Sequence, residues 1–481
     1  MRKQEINRIR DQFDGGQWPQ FLEFIEIDGL RGWKGQSVHF RFPIAAVVGE
    51  NGTGKSTVLK VAASAYIPKK GKGYYPSEFF QSTHWDNIQG VSLSYRIKNG
   101  NETEIFTVKK PTKRWSFPEK RFSRDVFWFD ISRTLPLDAT AGYARVAKLA
   151  SEEISSEFIQ DDFKDKLSYI LGREYRSARF AAPDINEQRI VGLLGRDYGE
   201  ISQFHQGAGE DTTLDLIRSL QTVPSNALVL IDEIEASLHP KAQRRLMECL
   251  VELCRHKRIQ IIVTTHSPFV LEELPPEARI MLIPTSEGPN VIYRISPEFS
   301  LSKLDDVIHP ELYAYVEDRV AEIWLREIIA QDPEGADLLQ RIKITSVGPS
   351  NAVVMMGKLA DEGRLSHKAI GVIDGDVDES PGCIRLPGNN APEQVVFEGL
   401  RAKNWPNLPQ RFGIGAGTLL GYFEDAMLNG DHHRWTTLIG DKIIKSSHSV
   451  WETLATEWCR SCLEDDERRF IIAEFEKRLN P

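Results

Sequence analysis

Residues able to do chemistry fall into two groups far apart in the chain. The first handles phosphate: Ile44 to Thr57 read IAAVVGENGTGKST, an apolar strand running into the pattern G-x-x-x-x-G-K-[ST]. Gly49, Gly52 and Gly54 let the backbone turn tightly enough for successive N–H groups, with that of Asn51 among them, to converge on an anionic phosphate chain at a helix N-terminus. Lys55 would reach the β- and γ-phosphates, Ser56 would place its hydroxyl on Mg²⁺, and Thr57 begins a helix, TVLKVAASAY, of the length such a loop feeds. Two later pieces fit the same chemistry. Ala227 to Pro240 (ALVLIDEIEASLHP) is a buried strand ending in Asp232, suited to the Mg²⁺ shell, and Glu233, suited to orienting and deprotonating an attacking water. Ile259 to Val270 (IQIIVTTHSPFV) is another apolar strand, finishing at His266, which can hydrogen-bond a γ-phosphate or the water.

The second group is acidic. From Tyr313 the pattern is β-α-β-α-β: YAYVED, a helix RVAEIWLREIIAQD, a strand KITSVG, a helix NAVVMMGKLADEG and a strand AIGVIDGDVD. This places Glu317 at the end of the first strand and Asp374 and Asp376 at the end of the third, on one rim of a parallel sheet. Carboxylates converging there repel unless a divalent cation neutralises them, so the economical reading is a Mg²⁺ or Mn²⁺ site, with Asp378 as an addition. The bland alternative for Asp374-Gly375-Asp376 is a tight turn. Further on, Glu393 or Glu398 could complete a metal shell. His432 and His433 could touch phosphate or metal, although a surface pair is the simpler reading. Lys442 and Lys445 could neutralise phosphate charge.

The elements that must hold these groups belong to an α/β chain of more than one domain. Its 481 residues exceed one ordinary core, and 41% hydrophobic with 27% charged residues is globular composition. FLEFIEIDGLRGWKGQSVHFRF alternates as an antiparallel sheet packed on one side. Between Thr140 and Ile201, SEEISSEFIQDDFKDKLSYIL repeats at helical spacing, predicting a short helical insert too small for a coiled-coil arm. The expected division is a nucleotide-binding domain over 1–305 with that insert at about 140–200, a parallel-sheet domain over 306–400 and a helical C-terminal tail over 401–481. A net charge of -9 gives no general pull toward nucleic acid. One basic run, Lys109 to Arg124 with Trp115 and Phe117, is a local candidate for such contact, or else a solvated hairpin edge. Five cysteines are too few and irregular for a disulfide framework, and a lone Cys459-x-x-Cys462 pair does not complete a zinc site. No leader is apparent and no apolar run is long enough to span a membrane, so a soluble, cytoplasmic protein is expected.

Taken in order, P-loop, strand-Asp-Glu, SLHP and strand-TTHS resemble the ABC-type ATPases of recombination and chromosome maintenance. That resemblance implies that Glu233 is the catalytic glutamate, His266 the switch histidine and Ser237 to Pro240 a loop crossing a dimer interface. It also implies a signature segment presented to the ATP of another subunit, so a homodimer or higher even oligomer. Within FHQGAGEDTTLDLIRSL, Gln206 to Glu210 looks like a relaxed form of LSGGE, with Gly207 and Gly209 as nucleotide-contacting glycines and with Gly207 where the serine should stand. Gln81 is the candidate metal-contacting glutamine. The acidic set looks like a Toprim domain, which implies Glu317, Asp374 and Asp376 as metal ligands. The family's second acidic residue falls at Ala321, flanked by Glu322 as its substitute. An ATPase head followed by Toprim is the architecture of the OLD (overcoming lysogenization defect) nucleases and the related Gabija nuclease. The implied function is an ATP-regulated, metal-dependent DNA endonuclease or nickase in defence against phage. The alternative is a Septu-type ATPase sensor whose Toprim-like domain does not cut and which controls a separate HNH nuclease or toxin.

Overall fold

The computed structural model describes residues 2–69, 73–135, 137, 143–305, 307, 309–333 and 335–479. The expected boundary residues Thr140 and Asp306 lie outside these, as do Met1 and Pro481. The chain divides into two compact units, Met1–Leu304 and Asp305–Pro481.

In the first unit the strands Ile44–Gly49, Leu228–Ile231 and Gln260–Thr265 are buried at every position, as their unbroken apolar runs require of strands covered on both faces. They form the middle of a six-stranded sheet that reads, from one edge, Asn290–Tyr293, Arg279–Ile283, Ile44–Gly49, Gln260–Thr265, Leu228–Ile231 and Val126–Phe129. All pairings are parallel except that of the edge strand Asn290–Tyr293. This order sets the ends of the Ile44, Gln260 and Leu228 strands side by side, where the loop before helix Lys55–Ala63, Asp232 and His266 emerge. A second sheet is antiparallel, in the order Trp33–His39, Gln20–Leu30, Val91–Asn99 and Glu102–Lys110, in keeping with the alternation of the opening segment.

The insert differs from expectation. Glu153–Phe158, Ser177–Pro183, Val191–Arg196 and Gly199–Ser202 form a four-stranded antiparallel sheet, and among the described residues around it Asp161–Leu171 and Tyr143–Leu149 are helical. Helical spacing correctly marks Phe163, Leu167 and Ile170, which are buried. It fails for SEEISSEF, an edge strand exposed at every position, because such a strand is held by backbone pairing and need carry no apolar alternation.

Part of the basic run is structural, while Lys109, Lys113, Arg114 and Lys120 are exposed. Arg124 is fully buried and donates to the carbonyls of Asn226 (2.7 Å) and Ala227 (3.2 Å), the Tyr66 hydroxyl (3.1 Å) and Gln260 Oε1 (3.0 Å). Arg121 donates to the Ser64 carbonyl at 2.6 Å, and Lys120 pairs with Glu104. These residues tie the approach to the Val126 strand into the core.

The second unit has a wholly parallel sheet ordered Ile342–Ser346, Leu312–Val316, Ala369–Ile373, Cys383–Arg385. Helices Arg319–Ala330 and Ser350–Asp361 make the crossovers. Helices from Leu408 to Leu479 share one core with this sheet: Trp324 packs edge-on to Trp458 with ring centroids 5.0 Å apart, and Phe397 meets Trp435 at 5.1 Å. The expected tail is therefore integral to the unit. Cys459 and Cys462 are free thiols, and burial pushes Cys459 well above the ordinary thiol range, which suits packing rather than metal binding.

Candidate functional site

Gly54 takes φ 97° at the entry to helix Lys55–Ala63, and a Cβ there would lie 2.6 Å from the indole nitrogen of buried Trp33. The loop is thus seated on the neighbouring antiparallel sheet, and only glycine fits. Lys55 is buried and donates to the carbonyls of Gly49 (2.8 Å) and Glu50 (2.9 Å). Burial lowers its pKa, opposed by the charges of Glu233, Asp232 and Glu235. Ser56 Oγ donates to Asp232 Oδ1 at 3.1 Å, and Thr264 Oγ1 donates to the same oxygen at 2.5 Å. The hydroxyl and the buried carboxylate expected to share a Mg²⁺ shell therefore face one another, so the residues fit a magnesium nucleotide.

Glu233 is held in the left-handed region at φ 48°, unusual for a side chain of its size. Its N–H donates to Thr264 Oγ1 at 2.8 Å. Arg133 clamps the turn from the other side, donating to the carbonyls of Asp232 (2.5 Å) and Glu233 (2.6 Å). No motif marks Arg133; its only signal is a place just after the Val126–Phe129 strand, beside the Asp232 strand. His266 is placed by its N–H, which donates to Glu235 Oε1 at 2.5 Å, while its Nε2 is buried without a hydrogen-bond partner. Burial and the Lys55 charge hold the imidazole below its ordinary pKa, so it is neutral and can accept from or donate to a phosphate oxygen or a water. Gln81 is exposed, and its side chain contacts only the Glu78 carbonyl at 3.5 Å, so it does not join this group.

The segment Gln206–Glu210 opens helix Ala208–Thr222, with Gly207 as its N-cap. Glu210 accepts from the Tyr175 hydroxyl at 2.5 Å and pairs with Arg196, so its carboxylate braces the helix against the insert. A Cβ on Gly209 would lie 2.7 Å from the Ser237 carbonyl oxygen. Further along the helix, Asp211 and Asp215 share the Gln203 side-chain amide, at 2.7 and 3.0 Å. Burial and the Asp211 charge push Asp215 up to about 6. Because the folded state binds this proton more tightly than the unfolded chain, stability falls as pH rises from about 4 to 6, and the cost is complete above that. Asp215→Asn keeps an acceptor for Gln203 and removes the charge. It should raise the melting temperature at pH 7.5, by up to about 3 kcal/mol in stability, and leave it nearly unchanged at pH 4; equal gains at both pH values would refute this.

At the other site, Glu317 follows Leu312–Val316 and Asp374 follows Ala369–Ile373, two adjacent parallel strands, so both stand at one rim. Asp374 Oδ1 is buried with no hydrogen-bond partner. Burial, then the charges of Glu317, Asp318, Asp376 and Glu393, push this carboxyl up to about 7. Glu317 is raised by burial and by Asp318 and Asp376. An orphaned buried oxygen among like charges is the donor set a divalent cation satisfies.

Among the described contacts, nothing ties two of the predicted ligands to it. Glu322 pairs with Arg326 one turn along its helix at 2.9 Å, and exposed Asp378 is not among the charges acting most strongly on Asp374. Asp318, whose carboxylate also caps helix Arg319–Ala330 by accepting from the Ala321 N–H at 2.9 Å, is among the charges that act on Glu317 and Asp374. Its signal, an acid next to Glu317, reads equally well as a helix cap. Glu393 and His433, 3.0 Å apart, also act on this rim. Lys442 pairs with Asp425 at 2.8 Å, and the Lys445 ammonium lies over the Phe412 ring.

The nucleotide loop, the parallel sheet and the Asp232–His266 constellation define the first unit as a P-loop ATPase domain of the AAA and ABC kind. Comparison with known proteins agrees: a family model described as "AAA domain, putative AbiEii toxin, Type IV TA system" matches residues 151–272, and one described as "AAA domain" matches residues 25–180. Among curated relatives, the phosphonates import ATP-binding protein PhnC 1 of Rhodopseudomonas palustris (strain BisB18) is 38% identical over 94 residues, covering 18% of this chain and 33% of that protein. Protein ea59 of Escherichia phage lambda is 25% identical over 253 residues, 48% of this chain and 47% of that protein. The chain thus spans about half or less of the length of these relatives. Solved structures that align include the SMC head domain from Thermotoga maritima (12% identity, TM-score 0.35, covering 56% of this chain and 98% of that one) and the Smc head domain bound to the C-terminal domain of ScpA from Pyrococcus furiosus (13%, 0.39, 59% and 98%). No helix among the described residues is long and apolar enough to cross a membrane.

Proposed function

We propose that the chain is an ATP-regulated, divalent-metal-dependent DNA endonuclease or nickase of the OLD type, acting against phage DNA. The observation that carries this reading is the buried, unpartnered Asp374 Oδ1 at a rim shared with Glu317, Asp318 and Asp376. The order of strands and acids resembles a Toprim domain, and Glu317, Asp374 and Asp376 would hold the metal. A dication bound there would act as a Lewis acid on the scissile phosphate and stabilise the leaving 3′-oxygen. The chain supplies the rest: a fixed carboxylate geometry, and a parallel-sheet rim on which the DNA backbone is presented.

In the ATPase unit, Lys55, Ser56 and Asp232 would hold the phosphates and their Mg²⁺, Glu233 would accept the proton of the attacking water, and His266 would hold the γ-phosphate end. Two copies would sandwich nucleotide between these residues of one and Gly207–Glu210 of the other, so that ATP occupancy gates access to DNA. The test is supercoiled plasmid with Mg²⁺ or Mn²⁺, with and without ATP, beside Asp374→Ala. Nicking that vanishes in the variant while ATP hydrolysis persists supports the proposal. The turning of Glu322 toward Arg326 favours the second reading, a sensor with a non-cutting domain and a separate HNH nuclease or toxin partner; absence of cleavage by wild type under all four conditions, with ATP binding intact, would favour it over the first.

A further inference from the structure

We propose that Glu393, His432 and His433 form a second cation position beside the carboxylate rim, one selective for a transition-metal dication such as Mn²⁺, Fe²⁺ or Zn²⁺ over Mg²⁺. It deepens the nuclease reading and rests on it for its role, though not for its ligands.

One ligand atom from each of the three residues lies within 4.8 Å of the others. His433 Nδ1 and Glu393 Oε1 are 3.0 Å apart, the spacing of neighbouring ligands on one ion when each bond is about 2.0–2.2 Å. His432 Nε2 is buried and lacks a hydrogen-bond partner. A buried ring nitrogen left unsatisfied is uncommon and calls for a missing partner. Glu393 is only 4% exposed, a carboxylate that burial would penalise were it not paired.

The set is also built rather than incidental. Glu393 sits in the first turn of helix Pro392–Ala402, and Phe397 on that helix packs against Trp435. The Trp435 indole donates to the Asn429 carbonyl at 2.8 Å, and Asp431 accepts from the His433 N–H at 3.2 Å, fixing the short turn His432–Arg434 that carries both imidazoles. Their rings lie 4.0 Å apart. Two imidazoles and one carboxylate are softer than the all-oxygen shell that Mg²⁺ prefers, and they suit a borderline metal. His433 Nδ1 lies 3.0 Å from Glu393 Oε1, and the Glu393 carboxylate is one of the charges that act on Asp374. The imidazole set and the rim therefore belong to one electrostatic neighbourhood.

The test uses the full chain without nucleotide, titrated with Mn²⁺ and followed by electron spin resonance, with echo modulation to detect coupling to imidazole ¹⁴N. Wild type should bind two ions, one showing ¹⁴N coupling. His432→Gln/His433→Gln should lose that coupling and bind the second ion about 100-fold more weakly or worse, whereas Asp374→Ala should keep it. His432→Gln alone, which breaks no hydrogen bond at Nε2, should weaken the same ion and guards against misfolding of the double variant. Absence of ¹⁴N coupling in wild type, or coupling and affinity unchanged in the histidine variants, overturns the proposal. A wild type that shows the coupling yet never cuts plasmid upholds this site and defeats the nuclease reading alone.

Discussion

Glu233→Gln should lower the turnover of ATP by about 10²- to 10⁴-fold, the range lost with a positioned general base, while nucleotide binding changes by no more than about threefold. The separation follows from geometry. The proposed binding groups and base lie on different side chains: Lys55 and Ser56 sit on the loop after Ile44–Gly49, Asp232 is tied to Ser56 and Thr264, and the Glu233 side chain takes no part in those bonds. The Glu233 turn is set by backbone groups, its N–H on Thr264 and its carbonyl on Arg133, so an isosteric amide leaves the fold of the site intact. One Glu235 oxygen accepts from the His266 N–H and the other is buried without a hydrogen-bond partner, so Glu235→Gln is the control for a substitute base. Single-turnover hydrolysis beside equilibrium nucleotide binding checks this. A turnover within tenfold of wild type would assign the proton to another group.

Arg124→Ala should cost roughly 3 kcal/mol or more of stability, since it strips donors from buried acceptors and leaves a void the size of a long side chain. The guanidinium joins the carbonyls of Asn226 and Ala227, at the entry to the Leu228 strand, to Tyr66 and to Gln260 on the neighbouring strand. Its loss therefore loosens the sheet that aligns Asp232. Arg124→Met fills most of the void and should recover part of the loss but not the hydrogen bonds. Chemical denaturation of the three proteins, with DNA binding measured alongside, is decisive: unchanged stability with weakened DNA binding would return Arg124 to the surface role its basic neighbourhood suggests.

The ATP-binding half was legible because each functional group terminates an apolar run, and burial on both faces leaves no freedom about where Ile44–Gly49, Leu228–Ile231 or Gln260–Thr265 can lie. The acidic rim was legible for the same reason at Glu317 and Asp374, each placed by a buried parallel strand. What resisted reading is held by contacts distant in sequence. Arg133 matters through two backbone carbonyls a hundred residues away, and no side-chain pattern records that. Glu322 is not legible, because spacing along a helix does not say whether a carboxylate turns toward the rim or toward a nearby arginine. His432 and His433 read as a surface pair, and His433 is exposed; that Trp435 and Asp431 fix their turn beside Glu393 is recorded by no local pattern. SEEISSEF reads as helix because an exposed edge strand leaves no trace in hydropathy.

The contact between Gly209 and the Ser237 carbonyl has a mechanical meaning. Most helices rest on their neighbours through side chains that can swing or compress, whereas here main chain meets main chain, with no room for even a methyl group. Such a joint has almost no backlash. Any shift of the loop beyond Glu233 toward the helix must be matched by the first turn of Ala208–Thr222, so the two behave as meshed teeth, and a larger residue at 209 would jam them.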